Sequence, residues 1–223
     1  MTGRSNQTVE LFSGPKIFPS IAQVLGYDTL TVDRNASTNP DIAADVRELS
    51  SSKLPVKPLI IWAALPDQTF NFPGGEGHWD EYGFPISEAA KEARSSYEGM
   101  QRIFRETDVQ WWFIENPYGP LRHFPAMAGF NRGYPTRNRI TIDHSDYGPF
   151  ASFRTDVWTN AFWWNPRKEA VSRLARRPAD EAPQEVGPDG RRLPASAIAE
   201  MFDQLDSYIR IAGTEAARPK LNS

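Results

Sequence analysis

Two acidic residues stand where apolar runs stop. The stretch "LIIWAALPD" leads through Pro66 into Asp67, and "VQWWFIENP" leads into Glu115, Asn116 and Pro117. Carboxylates at two strand ends across one cleft suit proton handling or hydrogen bonding to a flat polar ligand. The structural alternative is that one of them caps a helix or pairs with an arginine. A strand as apolar as "WWFI" nevertheless seldom ends on an acid followed by Asn-Pro without a purpose.

A second pair of residues points to a nucleoside. Gly14, in "FSGPK", offers close backbone approach and free amides at a following helix start, or is merely a turn. Asp33 comes about twenty residues later and can accept both hydroxyls of a ribose. Asp45, in "AADV", either accepts from an adenine amino group or caps a helix in solvent.

Other chemistry is excluded. The chain contains no cysteine, so disulfides, thiolate metal sites and thiol nucleophiles are all absent. His78, His123 and His144 lie far apart without metal-ligand spacing, and no metal is expected. Most tryptophans, including the pairs Trp111-Trp112 and Trp163-Trp164, read as core. Trp79 sits instead in the glycine-rich loop "FNFPGGEGHWDEYGFPIS" beside the proposed cleft, where it could stack on a ligand or a base.

The elements that must position these residues alternate between strand and helix. "TVELF" (8–12), "TLTVD" (29–33), "LIIWA" (59–63) and "VQWWFIE" (109–115) read as strands, the last two buried on both faces. A short helix with Pro19 near its first turn stops at Gly26. From Ser87 onward Ala90, Ala93, Tyr97, Met100 and Phe104 form one apolar helical stripe. "RITID" (139–143) and "VWTN" (157–160) look like antiparallel edge strands, and a last helix runs from about Pro194 to Ala212 with Gly213 as its cap. This alternation predicts an α/β fold, doubly wound and Rossmann-like, its mainly parallel sheet carrying an antiparallel edge. Ligands in such sheets bind beyond the carboxyl ends of the strands, where all the candidates above fall.

With 223 residues and no internal repeat, one domain is expected: a catalytic part over 1–165, with a basic and proline-rich segment and a final helix over 166–223 packing onto it. The formal net charge of -3 is not the strongly basic balance of a protein that grips nucleic acid by bulk electrostatics. Such binding would need a local patch. The run "RKEAVSRLARR" (167–177) is either that patch or a solvated helix face. The start "MTGRSNQTVE" has no apolar core and no stretch approaches about 18 apolar residues, so a soluble cytoplasmic protein is expected and a membrane partner is not.

Taken in order, "VELFSGPKIFPSIAQVLGYDTLTVD", "PDIAADV", "LIIWAALPDQTFN", "WWFIENPYGPLRHFPAM" and "YGPFASFRTDVWTN" resemble the DNA cytosine-5 methyltransferases. The likeness is to the compact phage-type members, which end in a very short target-recognition part, and it covers about residues 8 to 165. It implies an S-adenosylmethionine-dependent methyltransferase fold acting on DNA or a nucleotide. Phe12, Ser13, Gly14 and Pro66 would lie against the cofactor, with Asp33 on its ribose and Asp45 on its adenine amino group. Glu115, with Asn116, would hold the target base, flipped from its stack, and Gln68, Trp79, Pro117 and Arg154 would line the substrate side.

The departures fall on the catalytic motifs. The family pattern Pro-Pro-Cys reads Leu65-Pro66-Asp67 here. A carboxylate is a poor carbon-directed nucleophile and a good leaving group, so Asp67 should not sustain the family's covalent attack on cytosine. Asp146 takes the place of a glutamine, and Ser152-Phe153 stand where a basic residue is expected, with Arg154 near but displaced. Ordinary cytosine-5 methylation is therefore not expected. Transfer to an exocyclic amine needs no covalent adduct, and Asp67 could orient or deprotonate that amine. Amino-methyltransferases place prolines after their acidic or amide residue, whereas here the proline precedes it. The alternatives are an inactive homologue that binds cofactor or DNA, and a partner-binding module.

Overall fold

The computed structural model describes residues 6–66, 68–70, 77–123, 138–147, 153–166 and 193–216. The first strand, β1 (Gln7–Leu11), stops one residue short of Phe12, whose backbone turns into the left-handed region at φ 59. Helix α1 (Ile17–Val24) carries Pro19 in its first turn, where the missing N–H costs nothing, and ends at Gly26 with φ 90. Strand β2 (Asp28–Asp33) is followed by β3 (Ile42–Ala43), a two-residue strand inside the polar stretch. Asp41 draws that stretch alongside β2 by accepting from the Thr31 N–H at 2.8 Å and its hydroxyl at 2.6 Å.

Strand β4 (Ile60–Ala64) is buried at every position, as its unbroken apolar run requires. Helix α2 (Glu88–Thr107) starts where the sequence pattern turns helical, and Ser87 caps it: its hydroxyl accepts from the Ala90 N–H at 3.1 Å. Strand β5 (Trp111–Pro117) follows, then the hairpin-like pair β6 (Asn138–Asp143) and β7 (Arg154–Thr159), and last helix α3 (Ala195–Ala216). Gly213 does not cap α3, which runs three residues past it. One glycine costs about 1 kcal/mol in a helix interior, too little to stop a helix anchored by buried Ile198, Met201, Phe202 and Leu205.

The seven strands form one sheet in the order β3-β2-β1-β4-β5-β7-β6. The first five pair in parallel, and β7 runs antiparallel to both β5 and β6. The expected α/β fold with an antiparallel edge is therefore present. On one face, Trp62 stacks between Phe18 of α1 and Phe113 of β5 at 5.1 and 5.2 Å, with α3 closing the layer. On the other, Ile61, Trp112 and Ile114 meet Met100, Ile103 and Phe104 of α2. The basic run 167–177 lies outside the described residues, as does most of the proline-rich loop.

Candidate active site

The turn after β1 alternates in and out of the left-handed region, with φ 59 at Phe12, 42 at Gly14 and 57 at Lys16. Two of these residues carry side chains, so the turn is held at a cost of order 1 kcal/mol each, a pattern concentrated at ligand clamps. Its product is a direct link between the first two strand ends. The Gly14 N–H donates to Asp33 Oδ2 at 2.9 Å, and the Asn35 N–H donates to Oδ1 at 2.8 Å. Asp33 is thereby oriented by backbone amides, while each of its oxygens retains a lone pair for a further donor.

A cleft of about 220 Å³ opens over these ends. Phe12, Gly14 and Asp33 border it on one side, Asp45 on a second, and Ala64, Pro66 and Gln68 on a third. Ala89, Glu92, Ala93 and Ser96, one face of α2, complete the wall. Small side chains on that face leave the space. Ser13 is elsewhere: it is 1% exposed and borders a separate small cavity with Pro15, Glu115 and Leu193.

Charge at the cleft mouth is arranged as a chain. Arg47 forks Asp45, with Nε 2.9 Å from Oδ1 and Nη2 2.6 Å from Oδ2, and the Arg47 N–H adds a bond at 2.9 Å. The fork holds the Asp45 carboxyl below its ordinary range and raises the guanidinium in turn. Arg47 also lies 3.5 Å from Glu92, which pairs with Arg34. Arg34, Arg47 and Glu92 were not foreseen. The usable signals were an arginine two positions after Asp45 and an acid on the small-residue face of α2.

Glu115 is 4% exposed and points to the α1/α3 face, where both its oxygens are occupied. Trp62 Nε1 donates to Oε2 at 2.9 Å and the Leu193 N–H donates to Oε1 at 2.7 Å. Asn116 is fully buried on the opposite face, and neither its Oδ1 nor its Nδ2 has a hydrogen-bond partner. An orphan amide of this kind costs about 1–3 kcal/mol and calls for an explanation. Pro117 ends β5 opposite Thr155. Trp79 stacks on Phe70 at 5.1 Å and donates to the Thr69 carbonyl at 2.8 Å, so its indole packs the loop together. Arg154 is exposed at the start of β7, over the ring of Tyr118. Asp67 lies outside the described residues, as does the stretch 71–76.

His144 is buried against Thr155 and His78 bonds to Ser87, so each serves its local strand or cap. Among the described residues no three His, Cys, Asp or Glu side chains converge as a metal site, and no helix is long and apolar enough to cross a membrane.

No family model matches the chain, and no curated protein matches its sequence. Solved structures do match. One is described as a DNA modification methyltransferase encoded within a prophage of E. coli, with 18% identity and a TM-score of 0.50 over 69% of this chain and 45% of that one. Another is the Entamoeba histolytica methyltransferase EhMeth, with 15% identity and a TM-score of 0.52 over 78% and 60%. The chain spans less than two thirds of either. Strand order, parallel core and antiparallel edge together define the Rossmann-like methyltransferase fold.

Proposed function

We propose that this chain is an S-adenosylmethionine-dependent methyltransferase that modifies a base of nucleic acid or of a nucleotide without a thiol nucleophile. The observation that carries this reading is the Gly14–Asp33 bond, which sets an oriented carboxylate on the wall of a cleft at the strand ends. The residues fit a nucleoside: Asp33 can accept from a ribose, and Phe12 and Pro66 offer apolar contact. Asp45 keeps lone pairs beyond the Arg47 fork and can share them with an adenine amine.

The cofactor would supply a sulfonium methyl group to an attacking lone pair. An exocyclic amine would provide that pair directly, a nitrogen–carbon bond replacing the sulfur–carbon bond, and would have to lose one proton. Asp67 is assigned to accept that proton or to orient the amine, because a carboxylate can do either while the chain has no cysteine for a covalent adduct. Asn116, with an unpartnered buried amide at the end of β5, is the second candidate for contact with the base.

One observation favours a second reading, an inactive homologue that retains cofactor binding. Glu115, the residue that would hold the base by resemblance, has both oxygens engaged by Trp62 and Leu193. The deciding experiment incubates the protein with cofactor labelled in its methyl group and with DNA, RNA or free nucleotides. Label in a base supports the enzyme. Tight cofactor binding without label in any acceptor supports the inactive homologue.

A further inference from the structure

Two guanidinium groups lie over the ring of Tyr118: the Arg122 Cζ is 3.7 Å from the ring centroid and that of Arg154 is 4.0 Å. Their situations differ. Arg122 is committed: Nε reaches Asp156 Oδ2 at 2.9 Å, while Nη2 reaches both carboxylate oxygens at 2.5 and 2.7 Å and Thr141 Oγ1 at 3.1 Å. Asp156 is fully buried and Arg122 is 12% exposed, so this pair is a fixed base for the stack.

Arg154 is exposed, and no carboxylate lies within ion-pair distance of it among the described residues. Its cross-strand neighbour is Asp143, whose Oδ1 accepts from both the N–H and the hydroxyl of Ser145. The main chain is pinned as well, since the Tyr118 N–H donates to the Arg154 carbonyl at 2.8 Å. Two cations therefore share one ring. Arg154 is the solvent-exposed member, with its guanidinium resting over that ring.

The location adds the second part of the argument. Arg154 sits at the β7 end that meets the carboxyl end of β5, the edge on which ligands of such sheets bind. The cleft on that edge carries Asp33, Asp45 and Glu92, and its arginines are already engaged, Arg47 by Asp45 and Arg34 by Glu92. A planar guanidinium immobilised against an aromatic ring presents its fork to a tetrahedral oxyanion with little ordering left to do.

We infer that Arg154, held on Tyr118 and backed by the Arg122–Asp156 pair, binds a phosphate of the nucleotide to be modified, within a strand or free. This rests on the nucleotide reading given above. Tyr118 and Arg122 act as positioning residues.

The test is fluorescence anisotropy with labelled single- and double-stranded oligonucleotides across a salt series, beside equilibrium dialysis of nucleoside monophosphates against nucleosides. Arg154→Ala should weaken oligonucleotide binding about tenfold at low salt and make the slope of log affinity against log salt shallower by about 1. Arg154→Lys should keep the slope but lose affinity. Tyr118→Leu should lose affinity with the slope retained, and Tyr118→Phe should restore it. Preference for monophosphates over nucleosides, lost in Arg154→Ala, would place the phosphate of a free nucleotide in the site. Unchanged affinity and slope in a folded Arg154→Ala protein overturn the inference.

The underlying reading fails separately. If wild type binds no oligonucleotide or nucleotide, inorganic phosphate is titrated while the Arg154 side-chain N–H resonance is followed. A shift then keeps the anion site and removes the nucleotide, whereas no shift removes both.

Discussion

The Gly14 N–H and the Asp33 carboxylate meet at 2.9 Å, joining the turn after β1 to the end of β2. This bond fixes where the carboxylate points before any ligand arrives, and the Asn35 N–H holds its other oxygen. Asp33→Ala should therefore lower S-adenosylmethionine affinity by at least about tenfold, the value of a hydrogen bond to a charged acceptor. Titration calorimetry reads it directly, and an affinity equal to wild type would remove Asp33 from the proposed cofactor site.

Gly99 of α2 packs against the backbone of the loop that borders the cleft. A Cβ there would meet the Val46 carbonyl oxygen at 2.9 Å and the Arg47 Cα at 3.0 Å, both backbone. Alanine would gain about 1 kcal/mol in helix propensity, but overpacking against unyielding backbone costs about 1–3 kcal/mol. Gly99→Ala should come out destabilising in denaturant unfolding. It should also weaken cofactor binding, because α2 is pushed from the loop bearing Asp45 and Arg47.

Glu115→Gln tests the clasp on α3. Glutamine has one acceptor oxygen, so either Trp62 Nε1 or the Leu193 N–H loses its partner and meets an amide donor instead. A loss of about 1–3 kcal/mol in unfolding free energy is expected. A variant as stable as wild type would show that the two hydrogen bonds do not hold the segment entering α3.

His144 makes stability depend on pH. It is fully buried with Nε2 2.8 Å from Thr155 Oγ1, and burial pulls its pKa from 6.5 down to about 4. The unfolded chain takes up this proton near 6.5, whereas the folded chain resists until about 4. The contribution is thus full above 6.5 and is lost as pH falls from there towards 4, with a slope approaching about 1.4 kcal/mol per pH unit. His144→Gln should flatten that limb of the unfolding curve between pH 7 and pH 4. An identical pH profile in the variant would assign the limb to other groups.

The role proposed for Asp67 is open to direct test. Asp67→Asn should abolish methyl transfer while leaving cofactor affinity within about twofold, because the amide cannot take a proton. Asp67→Cys should yield some transfer to carbon five of cytosine, detected by mass spectrometry of the digested nucleic acid. Unchanged rates in Asp67→Asn would remove Asp67 as the proton acceptor.

Much of the fold was legible because it is written in local pattern. The apolar runs at 59–63 and 109–115 became central strands, the helical pattern from Ser87 became α2, and Gly26 closed α1. The antiparallel β6–β7 edge followed from two short β-branched segments. Gly213 misled for a reason of magnitude, since its penalty was smaller than the burial holding α3.

By itself the sequence determined which residues could stand at strand ends, because hydrophobic runs and turn residues declare where a strand stops. It also determined what chemistry was absent, through the lack of cysteine. Tertiary structure alone decided the partners. Leu193 reaches Glu115 across 78 positions, Arg122 reaches Asp156 across 34, and Glu92 of α2 meets Arg34 across 58. Such pairings depend on sheet order and helix placement, which bring distant residues within a few ångströms while leaving no periodic trace along the chain.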